Sequence, residues 1–155
     1  MVTSTGDVLS DRKEIAPVPA LVRTVIEVLR GSSTVTAALT PVVRRFGLSL
    51  AGFNVMHTLA HAEGPLGPSA ISRAQVIPAQ TLTSVLDSLE RRGLVEREAN
   101  PGDRRMLLAR LTDEGAALYR ECCEPLLAVE SELLSGLSEA ELERLRGLLG
   151  KIAGA

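Results

Sequence analysis

A mainly helical α+β fold, in which one two-stranded hairpin interrupts a run of helices, is what the sequence predicts. Three observations carry that reading. Leu82, Val85, Leu86 and Leu89 recur at i, i+3, i+4 and i+7, the stripe of a half-buried helix. After Gly93 the period changes: Leu94 to Glu98 and Met106 to Leu111 read as strands around the turn Asn100-Pro101-Gly102-Asp103. Helical spacing then returns from Thr112 to the last residues.

Elements follow in order. Residues 1–16 are polar and unpatterned and read as a flexible arm. Val22, Val25, Ile26 and Leu29 predict a first helix that Gly31-Ser32-Ser33 weakens and Pro41 kinks, and a second stretch from Val35 to Phe46 continues it. Gly47 ends it. Ser49 caps a helix whose apolar face is read as Phe53, Met56, Leu59 and Ala60. A short helix runs from about Ser69 to Gln75, and Pro78 opens the next, to Arg92. A long helix begins near Thr112 with Leu118, Leu126, Leu127, Val129, Leu133 and Leu134. Ser138 and Glu141 form a capping box for a last helix bearing Leu142, Leu145, Leu149 and Ile152. The boundaries are then an arm at 1–16, a helical region at 17–47, a central unit at 48–112 and helices at 113–155.

Composition narrows the function classes. With 45% hydrophobic and 23% charged residues the chain is an ordinary globular one. No apolar run approaches the roughly 20 residues of a membrane span, and no apolar stretch of a signal peptide is seen, so a cytoplasmic protein is expected. The net charge of −2 excludes coating nucleic acid by bulk charge. Its distribution is more telling: six Arg face three acids between Arg91 and Arg110, whereas nine acids face four bases from Asp113 onward. A local basic region suits one anionic partner met locally.

The central unit concentrates those features. A short helix, a turn, an amphipathic helix and a hairpin with a basic tip make a helix-turn-helix with a wing. Burying the Leu/Val stripe leaves Gln80, Thr81, Thr83, Ser84, Asp87 and Ser88 facing outward, short hydrogen-bonding side chains suited to base edges in a major groove. Arg104 and Arg105 at the hairpin tip suit a narrow minor groove, with Asp103 able to fix one guanidinium. Arg91, Arg92, Arg97 and Arg110 are read as solvated or ion-paired.

Gly93-Leu94-Val95-Glu96-Arg97, then Asn100 to Arg105 with Asp103-Arg104-Arg105, then Leu111-Thr112-Asp113-Glu114-Gly115 resemble the wing of the MarR (multiple antibiotic resistance regulator) family. Leu89-Glu90-Arg91-Arg92 resembles the end of that family's recognition helix, and the likeness covers roughly residues 48–120. It implies a winged helix-turn-helix transcriptional regulator, usually a repressor, that binds a palindromic double-stranded DNA operator as a homodimer through long N- and C-terminal helices. It implies that Gln80, Thr81, Thr83 and Ser84 lie in the major groove and that Arg105, oriented by Asp103, enters the minor groove beside Arg104. It also implies a small aromatic or phenolic effector between the dimer helices and the DNA-binding domain, for which Phe46, Asn54, Met56 and His57 are the lining residues expected. Four positions depart from the family pattern. Ser84 stands where Arg is frequent, Pro78 replaces a hydroxyl cap, Val76 replaces a turn Gly, and Gln75 occupies a core Leu position.

Rival readings are a winged-helix metal sensor and a protein-interaction module. His57 and His61 sit four apart on one helix, half a metal site with no completing ligand by spacing, so no metal or cofactor is expected. Adjacent Cys122 and Cys123 point about 100° apart on a helix and read as small packed thiols. No nucleophile elbow, phosphate-binding Gly loop or paired carboxylate is present, and an enzyme is not expected.

Overall fold

A computed structural model describes residues 19–75 and 79–153. The arm at 1–16 and the turn positions Val76 and Pro78 lie outside them. Among the described residues six helices and one hairpin follow in the order α1 (Ala20–Arg44), α2 (Leu50–Ala60), α3 (Pro68–Gln75), α4 (Ala79–Arg91), β1 (Val95–Asn100), β2 (Asp103–Leu111), α5 (Asp113–Leu133) and α6 (Glu139–Ala153). Two compact units divide at Thr34 and Val35. In the first, α1 exposes Leu21, Val22, Val25, Ile26, Val28 and Leu29, between 37% and 77% each.

The second unit holds the core. From α1 it takes Leu39, Val42 and Val43; from α2, Val55, Met56 and Leu59; from α3, Ile71; from α4, Leu82, Leu86 and Leu89; from α5, Cys122 and Leu126. Leu94, Val95 and Ala109 of the hairpin close it. Glycine at positive φ ends both α1 and α4: Gly47 and Gly93 each have φ of 69°, a conformation in which a Cβ is strained.

Local chemistry explains most boundaries. Ser49 accepts a 3.0 Å hydrogen bond from the Gly52 amide and starts α2. Ser138 and Glu141 form the expected box, the Ser138 amide donating to Glu141 Oε2 at 2.8 Å and the Glu141 amide to Ser138 Oγ at 3.4 Å. The hairpin pairs Val95 with Leu111 through Ala99 with Leu107, then shifts register before Asn100 meets Asp103. A bridge between Leu66 and Ala109 ties the α2–α3 loop to β2.

The stretch from Val35 continues the first helix as expected, with Gly31 to Ser33 and Pro41 inside one element from Ala20 to Arg44. Two expectations are corrected. The buried face of α2 is Gly52, Val55, Met56 and Leu59, with Ala60 exposed. Strand β2 begins at Asp103, three positions before Met106, because the turn is tighter than the sequence suggested.

Candidate nucleic-acid interface

Helix α4 turns one face fully inward. Leu82 is 1% exposed and Leu86 and Leu89 are 3% each, while Gln80, Thr81, Thr83, Ser84 and Ser88 are exposed. Ser84 Oγ donates to the Thr81 carbonyl at 2.8 Å, so that hydroxyl is held along the helix surface. Asp87 behaves otherwise than expected: it is half-buried and accepts from Arg97 Nη2 at 2.6 Å. Arg97 also meets Glu90 at 3.5 Å, and its side chain is only 20% exposed. A charged hydrogen bond of this length between α4 and β1 fixes the hairpin against the helix.

Asp103, Arg104 and Arg105 begin β2 at the hairpin tip. Asp103 is exposed; the side chains of Arg104 and Arg105 are outside those described. The other arginines of the basic region are engaged. Arg110 meets Glu96 at 2.9 Å and Glu98 at 3.7 Å across the hairpin. Arg91 Nε donates to the Asp87 carbonyl at 3.2 Å. Arg92, expected to be solvated or ion-paired, instead donates to the carbonyls of Gly47 (2.6 Å) and Phe46 (3.1 Å). Spacing offered no signal for that contact.

The hairpin is locked to α5 by the residues of the Leu-Thr-x-x-Gly motif. Thr112 Oγ1 donates to the Gly93 carbonyl at 2.6 Å and accepts from the Gly115 amide at 3.0 Å. Gly115 is required sterically: a Cβ there would stand 2.0 Å from the Leu94 carbonyl oxygen. Gln75, polar at a position read as core, is half-buried and donates to Thr58 Oγ1. That bond satisfies it without a leucine.

The four residues expected to line an effector cleft differ in exposure. Met56 is 0% exposed and lies in the core, Phe46 and Asn54 are half-buried, and His57 is exposed. None lines the cavity of about 480 Å³ between the end of α2, the end of β2 and the start of α5. Its walls include Leu59, Pro65, Arg110, Leu111, Tyr119 and Arg120. Beside it, His57 Nδ1 and His61 Nε2 lie 2.8 and 3.1 Å from the Tyr119 hydroxyl, with Phe53 stacked on the Tyr119 ring at 5.6 Å. Burial and then the charge of His61 hold His57 below the ordinary histidine range, and burial, with Cys123 and Glu130 beside it, pushes Tyr119 up to about 12. Among the described residues no three His, Cys, Asp or Glu side chains gather as metal ligands. Cys122 is buried and its thiol is pushed up to about 11, first by burial and then by Cys123 and Glu121. A thiol so placed is inert at neutral pH.

A helix-turn-helix backed by a hairpin, with helices on either side in sequence, defines a winged helix-turn-helix protein. Residues 46–106 match the MarR family. The transcriptional regulator PecS of Dickeya dadantii is 39% identical over 125 residues, covering 79% of this chain and 75% of that one. The chain belongs to the MarR family of transcriptional regulators. Two solved structures extend the likeness at 25% identity each. One is a mutant of Escherichia coli MarR complexed with operator DNA, with a TM-score of 0.75 over 85% of this chain and 94% of the other. The second is Bordetella bronchiseptica BpsR, whose DNA binding is regulated by 6-hydroxynicotinic acid, with a TM-score of 0.79 over 90% and 99%. Among the described residues no helix is long and apolar enough to cross a membrane.

Proposed function

We propose that two copies of the chain bind a palindromic DNA operator and repress transcription, with occupancy altered by a small aromatic ligand. The observation that carries the reading is α4: its leucines are covered to within 3%, so its polar face is held rigidly and stays available. Gln80, Thr81, Thr83 and Ser84 are assigned to the major groove, and Asp103, Arg104 and Arg105 to the minor groove beside it. Two-fold symmetry sets two such helices about 34 Å apart, one helical turn of DNA. The apolar residues exposed on the first half of α1 and on α6 are the surfaces assigned to the partner copy. In domain terms, 48–112 reads DNA, while 17–47 and 113–155 make the dimer.

For the effector, the cavity beside Tyr119 and Arg120 supports the role better than the residues around Met56. Its volume falls in the range of small-molecule sites, and it mixes apolar walls with hydroxyl and guanidinium groups. The regulation of BpsR by 6-hydroxynicotinic acid is a precedent in a structural neighbour. The chain is read as a regulator without a catalytic role, acting in the cytoplasm.

Selection of bound duplexes from a random pool, followed by fluorescence anisotropy, tests the proposal. A palindromic consensus is expected, with affinity falling steeply as salt rises and Arg105→Ala weakening it about tenfold or more. Absence of binding to every duplex at low salt overturns it in favour of a protein-interaction module.

A further inference from the structure

Arg92 stands where three helices meet. It follows the last residue of α4, yet its guanidinium reaches back 45 positions to the end of α1, donating to the Gly47 and Phe46 carbonyls at 2.6 and 3.1 Å. Those carbonyls belong to the turn closing α1, in which the Gly47 amide donates to Arg44 and the Leu48 amide to Val43. A helix C-terminus leaves carbonyls unsatisfied and carries partial negative charge, which a guanidinium fork meets with two donors at once. At α4 itself the Gly93 amide donates to Glu90 and the Leu94 amide to Leu89, so the C-terminal end of α4 is also a negative pole beside the same cation. Arg92 also shares the lining of a surface pocket with Ala117, Leu118 and Glu121 of α5, so its side chain lies near that helix. Among the described residues no carboxylate forms an ion pair with it. Its hydrogen bonds go to backbone, and backbone cannot rotate away.

We infer that Arg92 is a positioning residue that fixes the recognition helix α4 relative to the end of α1, and thereby sets the separation of the two half-sites the dimer accepts. The inference rests on the operator-binding reading above. Two charge-assisted bonds from one rigid group define an orientation as well as a distance. The leucine stripe holds α4 on the core, and these two bonds add a direct tie between its C-terminal end and the end of α1.

The test uses the full chain and the palindromic duplex it selects, with the spacer between half-sites lengthened or shortened by one base pair. Wild type is expected to prefer its selected spacing by about tenfold or more. Arg92→Met keeps much of the aliphatic stem of the side chain and removes its donors. It is expected to lose about tenfold on the selected duplex, to bind the three spacings within about threefold, and to keep the salt slope of wild type. Arg92→Lys, which can reach one carbonyl but not two, is expected between them and serves if the Met variant does not fold. Two results overturn the inference. One is spacing preference kept in both variants. The other is equal loss at every spacing with a salt slope lower by about one, which marks a phosphate contact instead. Failure of wild type to bind any duplex removes the operator reading itself and is separable, since it is seen before either variant is made.

Discussion

Helices α4 and α6 are of similar length, 13 and 15 residues, and each carries leucines at helical spacing, yet they end in opposite situations. Leu82, Leu86 and Leu89 are 1–3% exposed, whereas Leu145, Leu148, Leu149 and Ile152 of α6 are 40–67% exposed and no residue of α6 is buried. Local order is not the difference, since α6 has a complete capping box. Periodicity states that a face is apolar; it does not state what covers it. In α4 the cover is this chain's own core, and for α6 the described residues supply none.

Truncating the covered face tests the first half of that contrast. Leu82→Ala removes a fully buried side chain from α4 and is expected to cost about 2–5 kcal/mol in denaturant unfolding, at any protein concentration. Gly115→Ala attacks the same covered region through backbone contact. With 2.0 Å between the new Cβ and the Leu94 oxygen, α5 must move off the hairpin, and a loss of about 3 kcal/mol is expected from thermal unfolding. A Gly115→Ala protein as stable as wild type contradicts this packing of α5 against Leu94. Thr112→Ala leaves the Gly115 amide and the Gly93 carbonyl without their shared hydroxyl and is expected to cost about 1 kcal/mol.

On α6 the expected behaviour is different in kind. In dilute protein Leu149→Ala is a surface change of about 0.5 kcal/mol or less. At high concentration wild type should gain stability by association, and the variant should gain less. Sedimentation across a concentration series, paired with melting curves, checks this. If Leu149→Ala destabilises equally at all concentrations, α6 is covered by its own chain and the contrast fails.

The same distinction explains what could be read from the sequence. The α4 stripe, Gly93, the Asn-Pro-Gly-Asp turn and the caps at Ser49 and Ser138 are signals within a few residues, and each was legible. The polar face of α4 followed directly from its stripe, except at Asp87, where the partner Arg97 comes from the next element. Met56, expected at a cleft, is fully buried in the core, and an apolar residue on an amphipathic helix carries no mark of which neighbour meets it. Arg92 and the carbonyl of Gly47, or Tyr119 and the two histidines 58 and 62 positions away, meet only through the tertiary fold. No spacing rule joins such pairs.

Outside both of these leucine faces, His57 on α2 is a group whose titration the fold shifts. It meets His61 on its own helix and Tyr119 on α5, and it feels the charge of Glu130 on α5. The Tyr119 hydroxyl has one proton to donate, so it serves one imidazole as donor and the other as acceptor, and with its value near 12 it stays a phenol at neutral pH. Burial, then the charge of His61, lowers His57, so the folded state favours the neutral ring more than the unfolded chain does. The stability this contributes is present above the unfolded value of about 6.5 and is lost as pH falls through the lower folded value. The ring is exposed, so the effect is the smallest of those argued. Wild type should therefore lose slightly more stability than His57→Gln between neutral and mildly acidic pH, measured by denaturant unfolding at each pH. An NMR titration should find the His57 midpoint below that of an unfolded histidine. A midpoint at or above that value reverses the sign, and with it the claim that burial outweighs Glu130 at this ring.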